Sequence, residues 1–156
     1  MSAEGSVRQS RSRPADLSLN RVLDSNPDAI SAGLQEMFSC DLLLRLSDDS
    51  RGTVEIVLAE ALNNVVEHAY ADYPGRIEIG ITPGEGFVFV QLVDAGLPMP
   101  EGELPGGRLG KTTEIQDLPE GGFGWFLIRS LSQDLTYMRD GHLNVLSFCV
   151  GVDYEN

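Results

Sequence analysis

The chain has 156 residues, 24 acidic and 11 basic, for a formal charge of −13, and 42% of it is apolar. That suits one domain with one core, and the acidity excludes generic nucleic-acid binding because a phosphate backbone is repelled. No apolar run approaches the roughly 18–20 residues of a membrane span, no signal peptide is expected, and Cys40 and Cys149 make no metal or redox pair, so a soluble cytoplasmic domain is expected.

Residues 1–15 set Arg8, Arg11 and Arg13 against Glu4 and show no apolar periodicity. They predict a flexible tail ahead of a single domain over 16–156. That domain holds 8 basic and 23 acidic residues and so carries −15. Leu17, Leu19, Val22 and Leu23 loosely alternate and predict a first strand. Asn26-Pro27 reads as an N-cap with proline at the first helical position. The helix it opens has Ile30, Leu34, Met37 and Phe38 as its apolar face. Ser47-Asp48-Asp49 predicts the start of a second helix that runs to about Tyr70.

On that second helix Leu58, Leu62, Val65 and Ala69 fall on one side, and Glu60, Asn63, Asn64, Glu67 and His68 on the other. Glu60, Asn64 and His68 recur at i, i+4 and i+8, so they project along one edge. Such a face is commonly no more than the solvated side of an amphipathic helix. Asparagine is a poor helix former, however, and offers little to an exposed face. A carboxylate one turn before a carboxamide can hold hydrated Mg²⁺ and leave one oxygen free as a base. The helix alone does not choose between these readings.

Residues 76–82 and 87–93 alternate in hydropathy and are joined by PGEG at 83–86, which predicts an antiparallel hairpin. Its second strand leads into Asp94-Ala95-Gly96. This is either an ordinary Asp-x-Gly turn, or a carboxylate placed to accept from an exocyclic amine beside a glycine that a ring can approach. Residues 96–124 hold eight of the 17 glycines and four of the eight prolines, the composition of a lid or binding loop. Within it PGGRLGKT at 105–112 nearly spells the phosphate-loop pattern G-x4-G-K-[ST]. Pro105 stands where the first glycine belongs, and the flanks fit neither strand nor helix. Arg108 and Lys111, the only lysine, are better read as lid cations that close over a polyphosphate.

Gly121-Gly122-Phe123-Gly124 precedes a third helix containing Phe126, Leu127, Ile128 and Leu131. It is a lid hinge, or a set of bare N–H groups at a positive helix terminus that suits phosphate. Residues 134–139 and 143–152 predict a closing hairpin turning at Asp140-Gly141. The order β-α-α-β-β-loop-α-β-β predicts an α+β two-layer sandwich. A mixed, mostly antiparallel sheet would be covered on one face by about three helices.

In this order and spacing the pieces resemble the GHKL ATPase fold, and most closely the anti-sigma factor serine/threonine kinases, from about Leu17 to Phe148. Glu60-x3-Asn64-x3-His68-Ala69-Tyr70 is similar to the family's N box. Asp94-x-Gly96 is similar to its adenine-reading box, and Gly122-x-Gly124 with WFLI at 125–128 to its phosphate-side box. The resemblance implies ATP and Mg²⁺ as cofactors and an ATP lid. It implies Glu60 as the general base toward a serine or threonine hydroxyl and Asn64 as a ligand of the Mg²⁺ that bridges the phosphates. Asp94 would accept from the adenine amine with Gly96 beneath the ring, and Gly122 and Gly124 would face the phosphates. His68 is either a nucleotide contact or a structural histidine. Two departures, Pro98 where a second glycine is expected and a sparse set of lid cations, bear on turnover more than on binding.

The implied function is an anti-sigma regulatory factor. It would hold a sigma factor or similar protein and phosphorylate a small anti-sigma antagonist, with homodimerisation left open and neither nucleic acid nor membrane as partner. The alternatives are a nucleotide-dependent partner-binding switch with little or no phosphotransfer, and an acidic interaction domain that binds no nucleotide. A charge of −13 then implies strict Mg²⁺ dependence, because the metal ion, bare amides and lid cations must offset it locally.

Overall fold

A strand, β1 (Leu19–Asp24), leads into helix α1 (Pro27–Met37); the computed structural model describes residues 18–102, 104 and 123–155. The Asn26 side chain caps α1 by accepting from the Ala29 N–H at 2.8 Å, and Pro27 sits where no helical N–H is needed. A short helix, α2 (Asp41–Leu44), buries Leu42 and Leu43 in a stretch for which the sequence predicted no element. Helix α3 (Asp48–Asn64) starts at Ser47, whose hydroxyl accepts from the Ser50 N–H at 3.2 Å. The helix expected to continue to Tyr70 changes winding at its end. Val65–Ala69 form a π turn, closed by the Tyr70 N–H on the Val65 carbonyl at 3.2 Å.

Strands β2 (Arg76–Gly84), β3 (Phe87–Asp94), β4 (Gln133–Asp140) and β5 (Leu143–Gly151) complete one sheet in the order β1-β2-β3-β5-β4. Every pairing is antiparallel, in line with the mostly antiparallel sheet expected and without the parallel pair a mixed sheet would hold. Two pairs, β2–β3 and β4–β5, are tight hairpins, which dictates their sense. The helical connections then bring β1 beside β2 and β5 beside β3 in the same sense. The loops are Glu85-Gly86 and Gly141-His142, where Gly86 (φ 76°) and Gly141 (φ 59°) supply the left-handed backbone. Strand β2 therefore runs through Pro83, which is tolerated because β1 pairs with β2 only as far as Ile81.

One face of the sheet presents Ile77, Ile79, Ile81, Val90, Leu92 and Phe148 to the helices. There they pack with Val54, Val57, Leu58, Ala61 and Leu62 of α3, and with Trp125 and Ile128 of α4 (Phe123–Leu131). The other face, which no helix covers among the described residues, exposes Val22, Phe87, Phe89 and Met138. Among the described residues no helix is long and apolar enough to cross a membrane.

Candidate functional site

The end of α3 meets the start of α4, and three of the predicted site residues meet there. Glu60 and Asn64 stand one helical turn apart; Asn64 is buried and Glu60 half-buried. Gly124 is the point of contact. A β-carbon at Gly124 would lie 2.7 Å from Glu60 Oε2, 3.5 Å from Asn64 Nδ2 and 3.6 Å from Asn64 Oδ1. A glycine at this position lets the first turn of α4 close on two polar side chains. Asn64 Nδ2 and Trp125 Nε1 are buried without a hydrogen-bond partner among the described residues. Each such group costs about 1–3 kcal/mol, so an amide left this way beside a carboxylate is a candidate for holding a ligand.

The π turn then breaks the expected edge. Glu60 and Asn64 keep the i, i+4 relation, but the wider winding after Asn64 turns each residue through less than the α-helical 100° and takes His68 out of line. His68 is exposed and lies on the wall of a neighbouring cleft, which also involves Val65, Asp94, Met99, Tyr137 and Leu146. That cleft has about 20 Å³ of free volume, room for about one water.

Asp94 closes β3 at the floor of the cleft and is only 5% exposed. Its Oδ1 accepts from the Gly96 N–H at 2.9 Å and from Asn144 Nδ2 at 2.8 Å. The Asp-x-Gly turn thus exists, and it is buried. Burial pushes the Asp94 carboxyl above its usual range, opposed by the bonds from Asn144 and Gly96 and by the nearby Arg139 charge. Gly96 presses on the π turn so closely that a β-carbon would collide with the Ala69 carbonyl oxygen. The next residue, Leu97, donates its N–H to that oxygen at 2.7 Å. The Asp94 turn is thereby fastened to the same helix that carries Glu60 and Asn64. Arg108, Lys111 and Gly122 lie outside the described residues.

Sequence reasoning missed the residues that support Asp94. Asn144 stands directly opposite Asp94 in the β3–β5 ladder. Tyr137 donates its hydroxyl to Asn144 Oδ1 at 2.5 Å, and Arg139 reaches the same oxygen at 3.0 Å. A signal was available: positions 144, 146, 148 and 150 of β5 face inward as Asn, Leu, Phe and Val, so one amide interrupts an apolar row. Tyr70, the last residue of the Glu60–Tyr70 motif, supports the same turn. It donates its hydroxyl to the Arg76 carbonyl at 2.6 Å and accepts from the Ala95 N–H at 3.0 Å.

Residues 24–150 match the family model described as the histidine kinase-like ATPase domain. The chain is 30% identical over 95 residues to the serine-protein kinase RsbW of Bacillus cereus (strain AH820), covering 60% of this chain and 59% of that protein. It is 30% identical over 100 residues to the serine-protein kinase RsbW of Bacillus mycoides (strain KBAB4), covering 63% of this chain and 62% of that one. These matches span less than two thirds of the relatives' own length. Among solved structures, the crystal structure of the RsbU and RsbW domains of a Mycobacterium tuberculosis protein aligns with a TM-score of 0.54 at 15% identity. That alignment covers 86% of this chain and 32% of the other, and it is a likeness of fold.

Proposed function

We propose that this chain, which belongs to the histidine kinase-like ATPase domain family, is a Mg-ATP-dependent serine/threonine protein kinase that acts as an anti-sigma regulatory factor. The observation that carries the reading is Gly124, which brings the start of α4 onto Glu60 and Asn64 together. Three further features of the chain suit a nucleotide. Asn64 offers a buried amide whose Nδ2 has no partner among the described residues, Asp94 a buried carboxylate, and Gly96 a bare backbone two residues beyond it.

In this reading Asp94 and Gly96 take the adenine, and the N–H groups at the start of α4 face the phosphates. Asn64 is the side chain that would hold Mg²⁺, which when bound offsets phosphate charge. Glu60 accepts the proton of a protein serine or threonine hydroxyl as its oxygen bonds to the γ-phosphorus. The bond from that phosphorus to the β,γ-bridging oxygen breaks, and ADP leaves with the electron pair.

The acceptor would be a small anti-sigma antagonist and the protein held a sigma factor or similar regulator. Similarity to the serine-protein kinase RsbW supports the kinase role, and the two partners follow from the motif resemblance to anti-sigma factor kinases. Incubation with γ-labelled ATP and such an antagonist should label a serine or threonine. Glu60→Gln should abolish labelling while sparing ATP binding. Labelling that survives the substitution would remove Glu60 from its role. Mg-ATP binding with partner capture but no phosphotransfer would replace the kinase by a nucleotide-dependent switch.

A further inference from the structure

The β4–β5 hairpin places three polar side chains behind Asp94, and their bonds form a closed network. Asn144 is 4% exposed and uses its whole amide. Nδ2 donates to Asp94 Oδ1 at 2.8 Å and to the Leu97 carbonyl at 2.8 Å. Oδ1 accepts from Tyr137 at 2.5 Å and from Arg139 at 3.0 Å. Two donors and two lone pairs are a carboxamide's full capacity. Arg139 has no acceptor, so a flipped amide would set Nδ2 against its guanidinium and Oδ1 against Asp94 and the Leu97 carbonyl. The orientation is therefore locked from behind.

The same residues hold the lip of the cleft. Arg139 donates to the Gly96 carbonyl at 2.8 Å, and Tyr137 accepts from the Met99 N–H at 2.9 Å. With the Asn144 bond to Leu97, one hairpin fixes the backbone at three points between residues 96 and 99. Asp94 is affected most. Its Oδ1 already receives Gly96 and Asn144, so Oδ2 is the oxygen left to read a ligand, and its direction follows from the two bonds on its partner.

We propose that Asn144, held by Tyr137 and Arg139, is the positioning residue that gives the cleft its selectivity for a 6-amino purine over a 6-oxo purine. This rests on reading the cleft as the adenine site, and with free volume for about one water its walls must part to admit a base. A fixed carboxylate oxygen accepts from an exocyclic amine and meets a 6-oxo group acceptor to acceptor, so discrimination depends on Oδ2 being unable to turn away. Without the Asn144 bond, Asp94 can rotate and the lip can relax, and the chemical difference between the two bases is no longer felt.

The test is titration calorimetry of Mg-ATP and Mg-inosine triphosphate, which carry the same ribose and phosphates, against the wild-type chain, Asn144→Leu and Arg139→Met. The wild type should prefer ATP. Asn144→Leu should shrink the ratio of the two affinities at least tenfold, and Arg139→Met should shrink it by less. Arg139 is exposed on the edge strand, so Arg139→Met keeps the test available if Asn144→Leu does not fold. If the wild type discriminates and both variants discriminate equally well, merely binding both nucleotides more weakly, Asn144 is structural and the inference is overturned. A wild type that binds neither nucleotide would remove the adenine reading itself, a failure distinguishable from the first.

Discussion

Gly124 lies so close to Glu60 that a β-carbon on it would stand 2.7 Å from the carboxylate Oε2. The obstructing atom is the far end of a flexible side chain, so Gly124→Ala displaces the carboxylate and leaves the backbone in place. Gly124 sits in the first turn of α4, where alanine's advantage as a helix former is smaller than the ~1 kcal/mol of a helix interior. Phosphotransfer should therefore fall at least tenfold while the melting temperature changes by no more than about 2 °C. Full activity in a folded Gly124→Ala chain would show that the Glu60 position does not matter to transfer.

Asn64 leads to a prediction about the metal ion. Its Nδ2 is buried and without a partner among the described residues, so losing that donor costs the fold no hydrogen bond there, while Oδ1 is the atom that would ligate a metal ion. Asn64→Ala should leave thermal stability within about 1 kcal/mol of wild type. It should, however, abolish the stabilisation that Mg-ATP confers. For the wild type, ligand at ~100 times its dissociation constant adds about 2.7 kcal/mol, and EDTA should remove most of that. A thermal-shift scan of both chains, with and without metal, gives the four values needed. An unchanged Mg-ATP shift in Asn64→Ala would take the metal away from this residue.

The elements were legible because each rests on a local signal. The Asn26-Pro27 cap, the Ser47 start and the alternation of β2 and β3 can be read a few residues at a time. Glu60, Asn64, Asp94 and Gly96 stood out along the chain as candidates and took their implied roles from the motif resemblance, and the fold places them at one end of α3 and β3. What was missed depends on contacts between distant segments. Asn144 comes from 50 residues beyond Asp94 and matters only because the β3–β5 ladder sets the two opposite each other. The π turn was invisible for another reason: Val65–Ala69 reads as ordinary helix by composition, and its winding is set by closure onto Tyr70.

Leu62 links the core to this corner of the molecule. It is fully buried on the turn between Glu60 and Asn64. Leu62→Ala should cost about 2–5 kcal/mol through lost burial and a residual cavity, or a fall of about 10 °C in melting temperature. Ile56, on the same helix but 47% exposed, is the control. Ile56→Ala should stay within about 1 kcal/mol of wild type. Equal losses at the two positions in thermal unfolding would contradict the packing of α3 on the sheet.

Asp94 sets stability against function. Burial holds its carboxyl above the ordinary aspartate value of 3.8, despite the bonds from Asn144 and Gly96. The native state therefore keeps this proton over a range in which the unfolded chain has released it. Stability from this group is greatest at low pH, falls as pH rises from the unfolded value to the raised native one, and stays reduced above both. Asp94→Asn removes the titration. Its oxygen can still accept from Gly96 and Asn144, so the variant should melt at a higher temperature than wild type at neutral pH. That advantage should shrink and vanish as the pH is lowered through the native Asp94 value. The same change turns an NH₂ toward the cleft where an acceptor is required, so ATP affinity should fall at least tenfold even as the fold gains stability. Melting curves across acidic to neutral pH, with ATP titration at pH 7, test both halves. A variant less stable than wild type at neutral pH would mean that the network stabilises the ionised carboxylate more than burial penalises it.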